Sequence, residues 1–169
     1  MKKNLLIAVA FVFALHAQAK IILPSVISSN MVLQQKSSVT IWGWSAPAEK
    51  IFITASWSKN TDSAVATRDA KWQLQIKTPE AGGPYTITIK GENTITLDNV
   101  MIGEVWVCSG QSNMEWSYYN GLKDINDELP NCYNKNIRFF HIPKTTAQYP
   151  QDDCKAAWEI CDSNTLKGF

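Results

Sequence analysis

Lys71-Trp72-Gln73-Leu74-Gln75-Ile76-Lys77 alternates polar and apolar residues without a break. Successive side chains of a strand point to opposite faces, so such a run fits a strand with one wet and one buried face. The same texture recurs at Val39–Trp44, at Lys50–Trp57, which is rich in β-branched and aromatic residues, at Tyr85–Lys90 and at Thr94–Leu97. Turn clusters separate these runs: Ser45-Ala46-Pro47-Ala48, Ser58 to Asp62, Ala81-Gly82-Gly83-Pro84 and Gly91-Glu92-Asn93. Several short strands at this spacing, with few helix-forming windows, predict an antiparallel β-sandwich over residues 20–101.

Ahead of that domain, Lys2 and Lys3 precede an unbroken apolar stretch from Leu5 to Leu15, and Ala17-Gln18-Ala19 follows it. Eleven residues make about 16 Å of helix, too short for a hydrocarbon core of ~30 Å. Residues 1–19 therefore read as a signal peptide for export, not as a membrane anchor. Removing them leaves 14 basic against 15 acidic residues. Near-neutral charge without basic runs argues against a nucleic acid or an anionic membrane as partner. Seven Trp and five Tyr in so short a chain suit carbohydrate rings, although core packing is the commoner use of Trp. Oligomeric state is not legible.

After Val100 the texture changes. Gly103 to Cys108 reads as a strand covered on both faces, and Gln111 to Tyr119 and Lys123 to Leu129 read as helical, up to the break at Pro130-Asn131. Asn136 to Ile142 reads as a second buried strand, ended by Pro143. Strand, helical crossover and strand make a βαβ unit with a parallel sheet. A second domain is thus expected over residues 102–169. Sixty-eight residues are few for a doubly wound sheet, and Leu166 to Phe169 shows no terminal element, so the chain reads as truncated.

Export permits disulfides, and Cys108, Cys132, Cys154 and Cys161 allow three full pairings. Cys108 is expected as a buried thiol, and a bridge within the last three is plausible without the sequence choosing one. With His141 as the one histidine outside the signal, no zinc pattern is present, and no metal or organic cofactor is expected.

At Ser109-Gly110-Gln111-Ser112-Asn113 the apolar run ends in small and amide residues. A strand-to-helix turn is where α/β hydrolases lift a nucleophile toward unpaired N–H donors, and Gly110 would permit close approach and a strained dihedral there. The same spacing suits a serine that merely caps a helix, and spacing alone favours the cap. Ser109 still belongs to the strand end.

The longer block Gly103-Glu104-Val105-Trp106-Val107-Cys108-Ser109-Gly110-Gln111-Ser112-Asn113-Met114-Glu115-Trp116 closely resembles the nucleophile block of the sialate O-acetylesterase family, within the SGNH hydrolases. Leu23-Pro24-Ser25, Asn30 to Gln34, Trp42-Gly43-Trp44, Ala81 to Tyr85, Asn93 to Leu97 and Trp158-Glu159-Ile160-Cys161 extend the resemblance over residues 21 to 169. It implies a β-sandwich followed by the start of an α/β, flavodoxin-like three-layer SGNH domain. It also implies Ser112 as nucleophile, with its backbone N–H as an oxyanion donor. Gly110, Gln111 and Asn113 are then supporting residues, and Gln111 stands where many of the wider superfamily have aspartate. Trp116 reads as a pocket wall or a packed core residue.

The implied activity is hydrolysis of acetyl esters on sialic acid or related glycans. The family's Asp-x-x-His segment, which supplies the base and its orienting acid, is not found in these 169 residues. His141, on an expected buried strand, reads as structural rather than as that base. The chain by itself is therefore expected to be inactive. The alternative reading is a secreted β-sandwich carbohydrate-binding module carrying an inert hydrolase remnant.

Overall fold

The computed structural model describes residues 20–168; the segment read as an export signal lies outside the described residues. Among the described residues nine strands carry the fold: β1 (Val32–Gln34), β2 (Ser38–Trp44), β3 (Lys50–Ala55), β4 (Thr61–Val65), β5 (Lys71–Lys77), β6 (Gly82–Lys90), β7 (Thr94–Gly103), β8 (Asn134–Phe140) and β9 (Trp158–Cys161). The first seven form two sheets, one in the order β1-β7-β6-β3-β4 and one pairing β2 with β5.

Alternation in the sequence becomes burial in the structure. Along β3, exposed Lys50, Phe52 and Thr54 alternate with buried Ile51, Ile53 and Ala55. Ile87 and Ile89 of β6, Leu97 and Val100 of β7, Ile41 of β2 and Trp72 and Ile76 of β5 join the same apolar cluster. The two sheets thus share one core, and its removal from water is the main force holding residues 20–103 together. Gly43 makes one edge of it possible. A Cβ there would stand 2.4 Å from the Ile22 carbonyl oxygen, against which Trp44 makes a reciprocal pair of 2.9 Å backbone bonds.

The larger sheet differs from expectation in four details. It is mixed, because β1 runs parallel to β7, with Val32 opposite Met101 and Gln34 opposite Gly103. The turn expected over Ser58 to Asp62 gives way at Thr61 to β4, an exposed edge strand joined to β3 by ladder bonds and a 2.9 Å Thr54–Thr61 hydroxyl contact. Gly82-Gly83-Pro84 does not end the chain's extended course but is absorbed into β6 as a register shift, with Gly83 at φ 130°. β7 continues past Leu97 to Gly103, through Asn99 at φ 55°.

Beyond Gly103 the expected βαβ unit does not form. Residues 104–111 have no regular structure, and Trp106 and Val107 are 83% and 91% exposed. An apolar run becomes a strand only where a neighbour completes its hydrogen-bond ladder, and no described strand pairs with this one. The expected helices shrink to single turns: 3-10 turns at Ser112–Glu115, Tyr118–Asn120 and Leu129–Asn131, and α1 (Ile125–Glu128). Short helices need an apolar face to pack, and here only Ile125 is buried.

The strand expected near 136–142 exists as β8, but its partner is β9, antiparallel, in a separate two-stranded sheet. Phe140 and Trp158 meet across it at 5.2 Å between ring centroids. His141 lies just past the strand end and is exposed, not buried. A helical turn, α2 (Thr165–Gly168), stands near the end where the sequence offered no element; Asp162 Oδ1 accepts the N–H groups of Asn164 and Thr165 at its start. This hairpin region touches the first sheets through Trp158 Nε1 donating to the Val26 carbonyl (2.9 Å), Ser25 N–H to Asp153 (2.8 Å) and the Lys71–Asp152 ion pair (2.6 Å). Among the described residues no helix is long and apolar enough to cross a membrane.

Candidate active site

The nucleophile block leaves the sheet at Gly103, and three side chains fix how it leaves. Glu104 accepts hydrogen bonds from Gln34 Nε2 at 2.9 Å and Gln35 Nε2 at 2.6 Å. Gln34 Oε1 in turn accepts the Val105 N–H at 2.9 Å, and Gln35 takes Gly103 O with its backbone N–H at 2.8 Å. Gln35 Oε1 also accepts the Ala81 N–H. Two amides at the end of β1 therefore clamp the first residues of the block. Sequence reasoning quoted Gln34 and Glu104 without joining them, since 70 residues separate the pair and neither carries a motif of its own.

The two amide donors, Gln34 first and Gln35 second, hold the Glu104 carboxyl below its ordinary value. A carboxylate with a depressed folded value contributes its stabilisation above the unfolded value, and that contribution is lost as pH falls through the folded one. The clamp is thus intact at neutral pH and weakens only in acid. Glu104→Ala is expected to raise the exchange rate of the Val105 amide at neutral pH several-fold, read by hydrogen exchange, while Ile87 on β6 keeps its protection. Unchanged exchange at Val105 would show that the clamp does not order the exit.

Ser112 opens the 3-10 turn Ser112–Glu115 and is exposed. Gln111, not Ser112, occupies the capping position, extended at φ −90° and ψ −170°, and no side chain caps the turn. The cap that spacing alone favoured is therefore absent. No hydrogen bond of the Ser112 hydroxyl is seen among the described residues. The Gln111 carbonyl accepts the Met114 N–H at 2.9 Å, and the Asn113 carbonyl accepts that of Trp116 at 3.4 Å.

Gly110 is exposed and its φ lies outside the left-handed region, so no strained dihedral is stored there. What presses on it is a side chain: a Cβ at Gly110 would stand 2.7 Å from Met114 Cγ. Trp116 is 52% exposed, so it is not a packed core residue. Cys108 is exposed rather than buried. One ion pair, Lys144 Nζ to Glu115 at 2.5 Å, ties the turn to the segment after β8.

Chemically, the arrangement presents an exposed serine hydroxyl on a short turn, with no base or orienting acid bonded to it. A concave surface of about 510 Å³ exists elsewhere, lined by Pro24, Ile27, Ile95 and Trp158 among others, and Ser112 is not part of it. Among the described residues no group of three or more His, Cys, Asp or Glu is placed to hold a metal ion.

No protein-family model matches the chain. It is 26% identical over 145 residues to a protein from Pongo abelii named sialate O-acetylesterase, a match spanning 78% of this chain and 27% of that one. The sialate O-acetylesterase of Mus musculus is 28% identical over 142 residues, spanning 76% and 26%. Its counterpart from Homo sapiens is 26% identical over 145 residues, spanning 78% and 27%. The matched region is thus about a quarter of each relative's length. In fold, the chain is similar to a carbohydrate acetylesterase from Xanthomonas citri, with a TM-score of 0.79 and 24% identity, over 89% of this chain and 34% of that one. The resemblance drawn from the Ser112 block and the N-terminal motifs is supported by these matches: the chain is similar to sialate O-acetylesterases.

Proposed function

We propose that the chain is the N-terminal part of an exported carbohydrate O-acetylesterase, acting on O-acetylated sialic acid or a related glycan. In this reading residues 20–101 are a β-sandwich, and residues 102–169 begin an SGNH-type α/β domain whose remaining strands would cover the exposed 104–111 run. The observation that carries it is the similarity to sialate O-acetylesterases across more than three quarters of the chain. The free Ser112 hydroxyl at the start of its turn is compatible with it.

Ser112 Oγ would attack the acetyl carbonyl, the sugar hydroxyl would leave, and water would hydrolyse the acetyl-serine. Its own backbone N–H would be one oxyanion donor, with Gly110, Gln111 and Asn113 shaping the turn; a well-placed donor of this kind lowers the barrier by about 3–4 kcal/mol. The base must come from an Asp-x-x-His segment, so the 169 residues alone are an incomplete enzyme.

The test is covalent labelling by a fluorophosphonate, which requires an activated serine. Ser112 is expected to stay unlabelled in the 169-residue chain. It is expected to become labelled in a longer product of the same gene that carries an Asp-x-x-His, and that product should release acetate from O-acetylated sialic acid. A longer product that neither labels at Ser112 nor deacetylates any acetylated glycan would sink the reading.

A further inference from the structure

Cys132 and Cys161 come together although 29 positions separate them. The Cys161 thiol donates to the Cys132 carbonyl oxygen at 3.1 Å. Cys161 ends β9 opposite Asn134, the first residue of β8, so Cys132 lies two residues before the strand that pairs with Cys161. Between Asn134 and Arg138 the ladder loses register, so the mouth of this hairpin is held by little regular bonding. Cys161 is 4% exposed and Cys132 is half-buried. Among the described residues, Cys108 stands on the exposed block and Cys154 precedes β9, neither hydrogen-bonded to another cysteine.

We propose that Cys132 and Cys161 are a disulfide site, and that Cys108 and Cys154 remain thiols when it closes. A disulfide requires Cα atoms within about 7 Å, and the β8–β9 pairing, with the Cys161 thiol on the Cys132 carbonyl, brings this pair together where sequence spacing left the choice among three cysteines open. The Cys132 thiol donates to the Leu129 carbonyl at 3.3 Å while the Cys161 thiol donates to the Cys132 carbonyl, and burial, followed by the neighbouring Cys132, holds the Cys161 thiol above its ordinary value.

The chemistry follows from that asymmetry. The more exposed Cys132, as thiolate, attacks a disulfide oxidant, either an oxidised small-molecule dithiol or a protein dithiol oxidase. A mixed disulfide forms and one donor thiolate leaves. Cys161 then loses its proton, attacks the Cys132 sulfur and expels the second donor thiolate. Two protein thiols become one disulfide, and two electrons and two protons pass to the donor, which ends as two thiols. The product ties the loop before β8 to the end of β9, at the point where the ladder is weakest.

This inference does not rest on the esterase reading. The test is the purified chain equilibrated with oxidised glutathione, then alkylated and digested without reductant. A peptide joining Cys132 to Cys161 is expected, with the free-thiol count falling from four to two. In a Cys108→Ser, Cys154→Ser variant, the same joined peptide is expected and the count falls to zero. Four alkylated cysteines after oxidation of the folded chain, or a joined peptide that contains Cys154 instead, would overturn the assignment.

Discussion

Acetyl-ester hydrolysis by the 169-residue chain is expected to stay at the uncatalysed background, and Ser112→Ala to leave it there. In a longer product that supplies the histidine base, the same substitution is expected to lower kcat by about 10⁴–10⁶-fold, as removal of a nucleophile does in serine hydrolases. That corresponds to about 5–8 kcal/mol of barrier. The two halves test different links. An unactivated hydroxyl is a weak nucleophile, and among the described residues no side chain is seen bonded to the Ser112 hydroxyl to take its proton. The turn and its backbone donors are in the chain; the proton acceptor is not bonded to them. Initial rates with an aryl acetate decide the first half, and a Ser112-dependent rate in the short chain would show that a base exists within it.

Ile87→Ala is expected to destabilise the molecule by about 2–5 kcal/mol, read from the urea midpoint. Ile87 is fully buried on β6, between β3 and β7 in the sheet, and belongs to the cluster shared with Ile41, Trp72 and Ile76 of the smaller sheet. Losing three carbons there removes burial and leaves a void that strand backbones cannot close without disturbing two ladders. Lys90→Ala, on the exposed end of the same strand, is expected within about 0.5 kcal/mol of the parent. Against a typical total of about 5–15 kcal/mol, the Ile87 loss is a large share. A loss at Ile87 no greater than that at Lys90 would mean that the two sheets do not share a cooperative core.

The contrast between the chain's two parts is a contrast in what sequence encodes. β5 was legible to the residue, because Trp72, Leu74 and Ile76 alternate with polar neighbours and the pairing with β2 needs only that alternation. β4 was not, because an edge strand made of Thr, Asp and Ser buries little and is defined by its ladder to β3. From residue 104 onward, hydrophobicity misled. Val105, Trp106 and Val107 have the composition of a covered strand, but composition does not provide a neighbour, and in the described residues they stand in solvent. β8 found its partner in β9, a four-residue segment with too little pattern to be seen alone.

At the candidate site, the family block singles out Ser112, while nothing in the sequence joins Gln34, Gln35 and Glu104 into a clamp. Its members are surface amides and a carboxylate whose meeting depends on the parallel β1–β7 register. The corrections at Gly110 and His141 have the same origin. Gly110 marks contact with Met114 rather than a special dihedral, and His141 sits one residue beyond a strand instead of inside it.

That parallel register also sets a sequence of events. β1 emerges from the ribosome early, yet its partner in the ladder lies 69 residues later, at Met101 to Gly103. Until β7 is made, β1 has no place in the sheet, and contacts so distant along the chain are the slow ones to form. The β3–β4 and β6–β7 hairpins are local and can form first. Glu104 can meet Gln34 and Gln35 only where β1 lies beside β7, so the exit of the Ser112 block from the sheet depends on the longest-range pairing in that sheet.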